Sequence, residues 1–210
     1  MARRRPTQEE RKAKTRERLL DSAERVCRKR GYHAASVEEI AGRAGYSTGA
    51  VYAHFRGKDD LVLAVVERRL ERQAAEIATA TADRRGDDRL AAGAELWTAV
   101  LRSDRDFIVF FVELWAVAVR DRALRVRLAA ANRRIRSALG ELIASEAAAA
   151  GEDAPPASAE RLALALDVIA DGFALHRIAD PDGVPEEHLA TYLRWLVTGA
   201  RADLEREPPD

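Results

Sequence analysis

This chain has little of what cross-links or interrupts a fold: one cysteine in 210 residues, and seven prolines, none of them between Thr7 and Ala154. A lone thiol, Cys27, excludes an intramolecular disulfide framework and suits a reducing compartment. Period-2 alternation of β-branched residues is missing as well, which leaves strands with little claim on the sequence. Apolar runs stay short, and the longest, Phe107 to Val119, is interrupted by Glu113 and could not span a bilayer. No apolar segment follows the Arg-rich N-terminus, so no secretory leader and no membrane partner are expected, and the location expected is the cytoplasm.

Catalytic signatures are equally scarce. There is no G-x-S-x-G, no H-E-x-x-H and no Cys/His metal spacing, and His176 and His188 stand too isolated for zinc. The run Gly57-Lys58-Asp59 is not a phosphate loop, because Tyr52 stands where a glycine is needed and Asp59 where Ser or Thr is required. No catalytic residue, metal or cofactor is therefore expected.

What the chain does have is helical periodicity and a hidden charge asymmetry. Hydrophobic residues make up 47%, ample for a buried core, and the net charge is zero. Residues 1 to 60 nevertheless hold 15 Lys and Arg against 9 Asp and Glu, an excess of six that the rest of the chain cancels. Arg3, Arg4, Arg5, Arg11, Lys12, Lys14, Arg16 and Arg18 crowd this end, where a basic arm facing phosphates would be useful.

An all-α fold of nine helices is expected, as a three-helix N-terminal domain over residues 1–57 and a bundle of about six helices over 58–210. Leu19, Leu20, Ala23, Val26 and Cys27 form the apolar stripe of a first helix that stops at Gly31. Ser36 to Ala44 and Ser47 to Phe55 read as helices two and three. A fourth starts near Lys58 or Asp59 and runs to Gly86, long enough to join two domains. Three more follow over about 87–102, 104–119 and 121–149, with Asp104 as a cap. Gly151, Pro155 and Pro156 mark a loop before a helix capped by Ser158, over about 159–178. In the last helix, 186–204, Leu189, Leu193, Leu196, Val197, Ala200 and Leu204 make one apolar face, and Tyr192, Trp195 and Gly199 widen it beyond what a surface helix requires. A second copy of the chain is the expected partner, packed through these last two helices.

Residues 36 to 58 carry the sharpest signal. Ser36 with Glu39 makes a capping box, Gly45 can take the left-handed conformation that ends a helix, and Ser47 caps the next one. Ala41 is small where the helices would cross, and Val51 falls in their shared core. This is the spacing of a helix-turn-helix that reads DNA.

The stretch from Val51 to Leu61, together with Thr15, Leu19, Leu20, Ala23, Gly31-Tyr32, Val37, Ile40-Ala41 and Ala44-Gly45, resembles the DNA-binding domain of the tetracycline-repressor (TetR) family. Glu113-Leu114-Trp115 and Ala170-Asp171-Gly172-Phe173 are similar to its BetI-type C-terminal branch. The resemblance implies that Ser47, Thr48, Gly49 and Ala50 enter the major groove of an operator and that Tyr52 and His54 reach phosphates or a thymine methyl. It also implies that Lys58 meets a phosphate, while Thr15, Arg16, Ser36 and Val37 flank the groove. Tyr46 and Thr48 are the best candidates for base contact. Between residues 46 and 55 there is no Arg, Lys, Asn or Gln, the types that read bases bidentately, so DNA shape is expected to carry part of the specificity.

For the C-terminal half, Phe107, Phe110, Phe111, Leu114 and Trp115, with Trp97 and Leu101, concentrate the large apolar surface in two adjacent helices that could line a ligand cavity. Glu113, Asn132, Asp171 and His176 are the polar candidates there. The resemblance implies a homodimeric repressor released from a palindromic operator by a small molecule, which changes the separation of the two reading heads through helix four. The alternative is a constitutive or activating DNA-binding protein without an effector.

Overall fold

A computed structural model of the chain describes residues 7–149 and 156–204. Nine helices follow one another among these residues: α1 (Gln8–Ala34), α2 (Val37–Ala44), α3 (Thr48–Tyr52), α4 (Lys58–Ala80), α5 (Gly86–Ser103), α6 (Arg105–Arg120), α7 (Arg122–Ala149), α8 (Pro156–Ala179) and α9 (His188–Leu204). None of them is long and apolar enough to cross a membrane. Arg3, Arg4, Arg5, Gly151 and Pro155 lie outside the described residues, and so does the side chain of Leu101.

The all-helical expectation holds, and the differences are local. The Thr7 hydroxyl accepts from the N–H of Glu10 at 3.1 Å while the Glu10 carboxylate accepts from the N–H of Thr7 at 2.7 Å. This capping box starts α1 early, so Arg11 to Arg18 belong to a helix and not to an arm. Gly31, at φ 74, breaks the helical geometry where the stripe predicts a stop, but the chain coils on to Ala34. Helix α3 ends at Tyr52, short of Phe55, with one further turn closed by Phe55 N–H donating to the Val51 carbonyl. α4 stops at Ala80 instead of reaching Gly86. Proline at the first position of α8 starts that helix ahead of Ser158, which lies inside it and does not cap it.

The described chain forms two compact units. The first takes the residues up to Arg69 together with Val109–Leu128; the second takes Leu70–Ile108 and the residues from Ala129 onward. In the first, Leu19, Leu20, Ala23, Val26, Cys27, Ile40, Ala41, Val51 and Phe55 make the core, joined by the unbroken run Leu61–Val66 of α4. Six consecutive buried residues mean that this stretch of α4 has no solvent face, the mark of a helix surrounded by others. In the second unit, Ala94, Ile108, Phe173, Ala174, Leu189 and Leu193 form a core of α5, the start of α6, α8 and α9.

Candidate nucleic-acid interface

Three local devices build the reading element. The Ser36 hydroxyl accepts from the Glu39 N–H at 3.1 Å. Its expected reciprocal is missing, because the Glu39 carboxylate turns to Arg43 at 3.0 Å and to Arg30 at 3.7 Å. Gly45, at φ 77 and ψ 29, takes the left-handed conformation, and Tyr46 N–H donates back to the Ala41 carbonyl at 2.9 Å, closing a Schellman turn. The Ser47 hydroxyl then accepts from Ala50 N–H at 3.3 Å. With Val51 and Phe55 buried, α3 shows the outside Ser47, Gly49, Tyr52 and Ala53, with Thr48, Ala50 and His54 partly exposed.

Cations from α1 flank this small-residue surface. The Arg16 guanidinium lies 4.9 Å over the Phe55 ring, and the Thr15 hydroxyl donates to the Tyr46 phenol oxygen at 3.4 Å. The bond from Thr15, followed by the bond and charge of Arg18 and the charge of Lys14, holds the Tyr46 phenol below its ordinary range. Partial burial, with the charges of Lys12 and Arg16, lowers the His54 imidazole below its ordinary range. Four α1 cations thus act on the two ends of the α3 segment. Such a field suits a polyanion, because hydroxyls, an imidazole and a helix N-terminus supply hydrogen-bond donors between fixed positive charges.

One groove-flanking candidate, Val37, and the phosphate candidate Lys58 have other surroundings in the fold. Val37 is buried, so its side chain belongs to the core and leaves the candidate surface. Lys58 donates from Nζ to the His33 carbonyl at 3.1 Å and sits 4.7 Å over the Tyr32 ring. An ammonium has three donors, so a phosphate contact there would be added to a structural one.

The ligand candidates fall into both units. Phe110, Phe111, Glu113, Leu114 and Trp115 are in the first; Trp97, Phe107, Asn132, Asp171 and His176 are in the second. Phe107, Phe110 and Leu114 are buried, Phe111 meets Trp115 edge-on at 6.3 Å, and Trp115 is half-exposed. Trp97 packs against the core of the second unit, and its indole N–H is buried without a partner among the described residues. Two of the polar candidates have these surroundings in the fold. Glu113 accepts from the backbone N–H of Tyr32 at 2.5 Å, so its carboxylate already has a partner within the first unit. His176 is exposed on the last turn of α8. Asn132 is buried, whereas Asp171 is partly buried, and burial with the neighbouring Asp167 charge pushes its carboxyl up to about 7 against the opposing pull of Arg136.

Sequence reasoning missed the stacking of Arg16 on Phe55 and the pairing of Arg127 with Asp60, which link distant parts of the chain. The Thr7 cap was visible as a T-x-x-E pattern.

Comparison with known proteins agrees with this geometry. Residues 19–65 match the family described as bacterial regulatory proteins, tetR family, and residues 86–200 match the BetI-type transcriptional repressor, C-terminal family. A transcriptional activator of Mycolicibacterium smegmatis, FasR, is 49% identical over 53 residues, which are 25% of this chain and 24% of that one. The chain spans about a quarter of the length of the curated relatives it matches first. A putative transcriptional regulator from Pseudomonas aeruginosa PAO1 superposes with a TM-score of 0.71 at 22% identity, over 96% of both chains. FadR from Bacillus subtilis, solved in complex with stearoyl-CoA, does so with a TM-score of 0.67 at 18% identity, over 87% of this chain and 98% of that one.

Proposed function

This chain belongs to the TetR family of DNA-binding transcriptional regulators, with a BetI-type C-terminal domain, and from that premise we propose a homodimeric repressor that leaves a palindromic operator when a small apolar molecule binds. The carrying observation is the flank of Lys12, Lys14, Arg16 and Arg18 beside an α3 whose outer face is small apart from Tyr52. Small residues let the backbone approach the groove closely, and the cations hold the register on phosphates. With no Arg, Lys, Asn or Gln on α3, Thr48 and Tyr46 supply the few base contacts, and groove shape supplies the rest.

Dimerisation is supported by the apolar side chains that α8 and α9 leave exposed: Leu164, Val168, Leu175, Tyr192 and Trp195. A two-fold protein would match a two-fold operator, with reading heads about one or more helical turns apart, roughly 34–36 Å or a multiple of it. The effector reading is supported by the fold shared with a neighbour that holds stearoyl-CoA, a long apolar chain on a polar head. Such a molecule acts only through a difference in its affinity for the two states of the regulator. The whole cycle belongs to the cytoplasm, where DNA and such metabolites meet. An activating reading has its own support, since the reading head is close to that of an activator.

The test is a footprint of the purified protein on its own upstream DNA, followed by titration with acyl-CoA thioesters of increasing length and with a panel of apolar metabolites. Symmetric protection that one compound abolishes is the expected result. Protection that no compound changes, with transcription rising when the protein is added, would establish the activating alternative instead.

A further inference from the structure

Glu113 lies on α6, among aromatic residues, yet its carboxylate faces the end of α1. It accepts from the Tyr32 N–H at 2.5 Å. The approach depends on Gly31: a Cβ there would collide with both carboxylate oxygens, lying 2.7 Å from Oε1 and nearer still to Oε2. Gly31 is also at φ 74, where any other residue would be strained. Glycine and glutamate, 82 positions apart, therefore form a notch and its occupant.

The residue held in this way is the centre of the polar contacts around the α1 kink. Tyr32 donates its phenol O–H to Asp59 at 2.6 Å, and the Lys58 ammonium covers its ring while donating to the His33 carbonyl. Beside them, Asp60 accepts from the Arg56 N–H at 2.9 Å and pairs with Arg127 of α7. Four residues beyond Tyr32 stands Ser36, the cap of α2. A rotation of the backbone at residue 32 is therefore delivered within one short segment to the start of the helix-turn-helix.

We infer that Glu113 is a positioning residue for operator binding: seated in the Gly31 notch, its carboxylate fixes the kink in the last turns of α1 and with it the pose of α2 and α3. Sequence-specific binding needs that pose, because base contacts and groove fit tolerate little displacement. Non-specific binding needs only the cations that meet phosphates, which Glu113 does not touch.

The test uses the full chain with Glu113→Asp and Glu113→Gln. Aspartate is one methylene short of Tyr32, whereas glutamine keeps the length and an acceptor oxygen. Affinity is measured by fluorescence anisotropy, at one salt concentration, for the tightest duplex recovered from a randomised library and for a scrambled duplex of equal length. Glu113→Asp should lose at least about tenfold on the selected duplex and less than about twofold on the scrambled one; Glu113→Gln should stay within about threefold on both. Unchanged affinity in Glu113→Asp, equal loss on both duplexes, or a loss in Glu113→Gln as large as in Glu113→Asp overturns the assignment. So does loss of helical circular dichroism in either variant, since the role would then be in folding.

Discussion

Helices α3 and α9 both carry side chains that their own unit leaves uncovered, but of opposite kinds. α3 shows serine, glycine and alanine with a single tyrosine, next to four cations of α1. α9 shows Tyr192 tilted against Trp195 at 5.7 Å between ring centres, with Trp195 67% exposed and His188 beside them. The neighbouring α8 adds Leu164, Val168 and Leu175, spaced so that they share one face. Small residues in a positive field fit a polyanion that must come close. Large apolar residues fit a second apolar surface, which removes them from water at about 25 cal/mol per Å². One protein thus presents two binding chemistries, separated along the chain.

The largest effect that would break this contrast is Trp195→Glu. Placing a charge on the aromatic face of α9 should weaken self-association at least about a hundredfold, seen as a shift to monomer in sedimentation velocity, since buried tryptophans anchor interfaces of this kind. An unchanged sedimentation coefficient would count against the proposed self-association through α9. Next in size is Gly49→Ala. The structure leaves ordinary room for that methyl group, the nearest atom being the Ser47 hydroxyl at 3.7 Å, and the backbone there is not in the glycine-only region. Stability should rise by up to about 1 kcal/mol in a urea melt, from helix propensity, while operator affinity falls about tenfold because the methyl occupies the face turned to DNA. Equal affinity would mean that α3 does not approach a groove at this point.

The smallest effect concerns the one charge in the α8 stripe. Asp171 falls between Val168 and Leu175 at helical spacing, its carboxyl pushed up to about 7 by burial and by Asp167, with Arg136 opposing and itself bonded to Asp167 at 3.3 Å. Unfolded, the same group titrates near 3.9. Between those values the folded state binds more protons than the unfolded one, so this residue makes stability fall as pH rises from about 4 to about 7. Asp171→Asn should raise stability at pH 8 relative to the parent chain and flatten that slope in thermal melts. A steeper slope in the variant would contradict this environment.

Legibility in the sequence followed the range of the interaction. The caps at Ser36 and Ser47 and the left-handed Gly45 were readable because each is settled within four residues. Val51 was readable as core from its place in the same spacing, and it is fully buried. The ends of α3 and α4 were misjudged because propensity continues past Tyr52 and Ala80 while the backbone turns. Val37 and Lys58 look like surface residues in a one-dimensional pattern, and only packing buries the first and engages the second with His33 and Tyr32. Trp97 and Asp171 could be named as unusual, but what they face depends on other helices.

The sequence by itself determined the helix-turn-helix, the helical class and the basic end of the chain, because spacing, capping chemistry and local charge are properties of neighbours. Only the tertiary structure decided that Glu113 serves the end of α1, since its partner lies 81 residues away. A carboxylate in an aromatic run announces that something must satisfy it; which group does so is set by how distant helices meet.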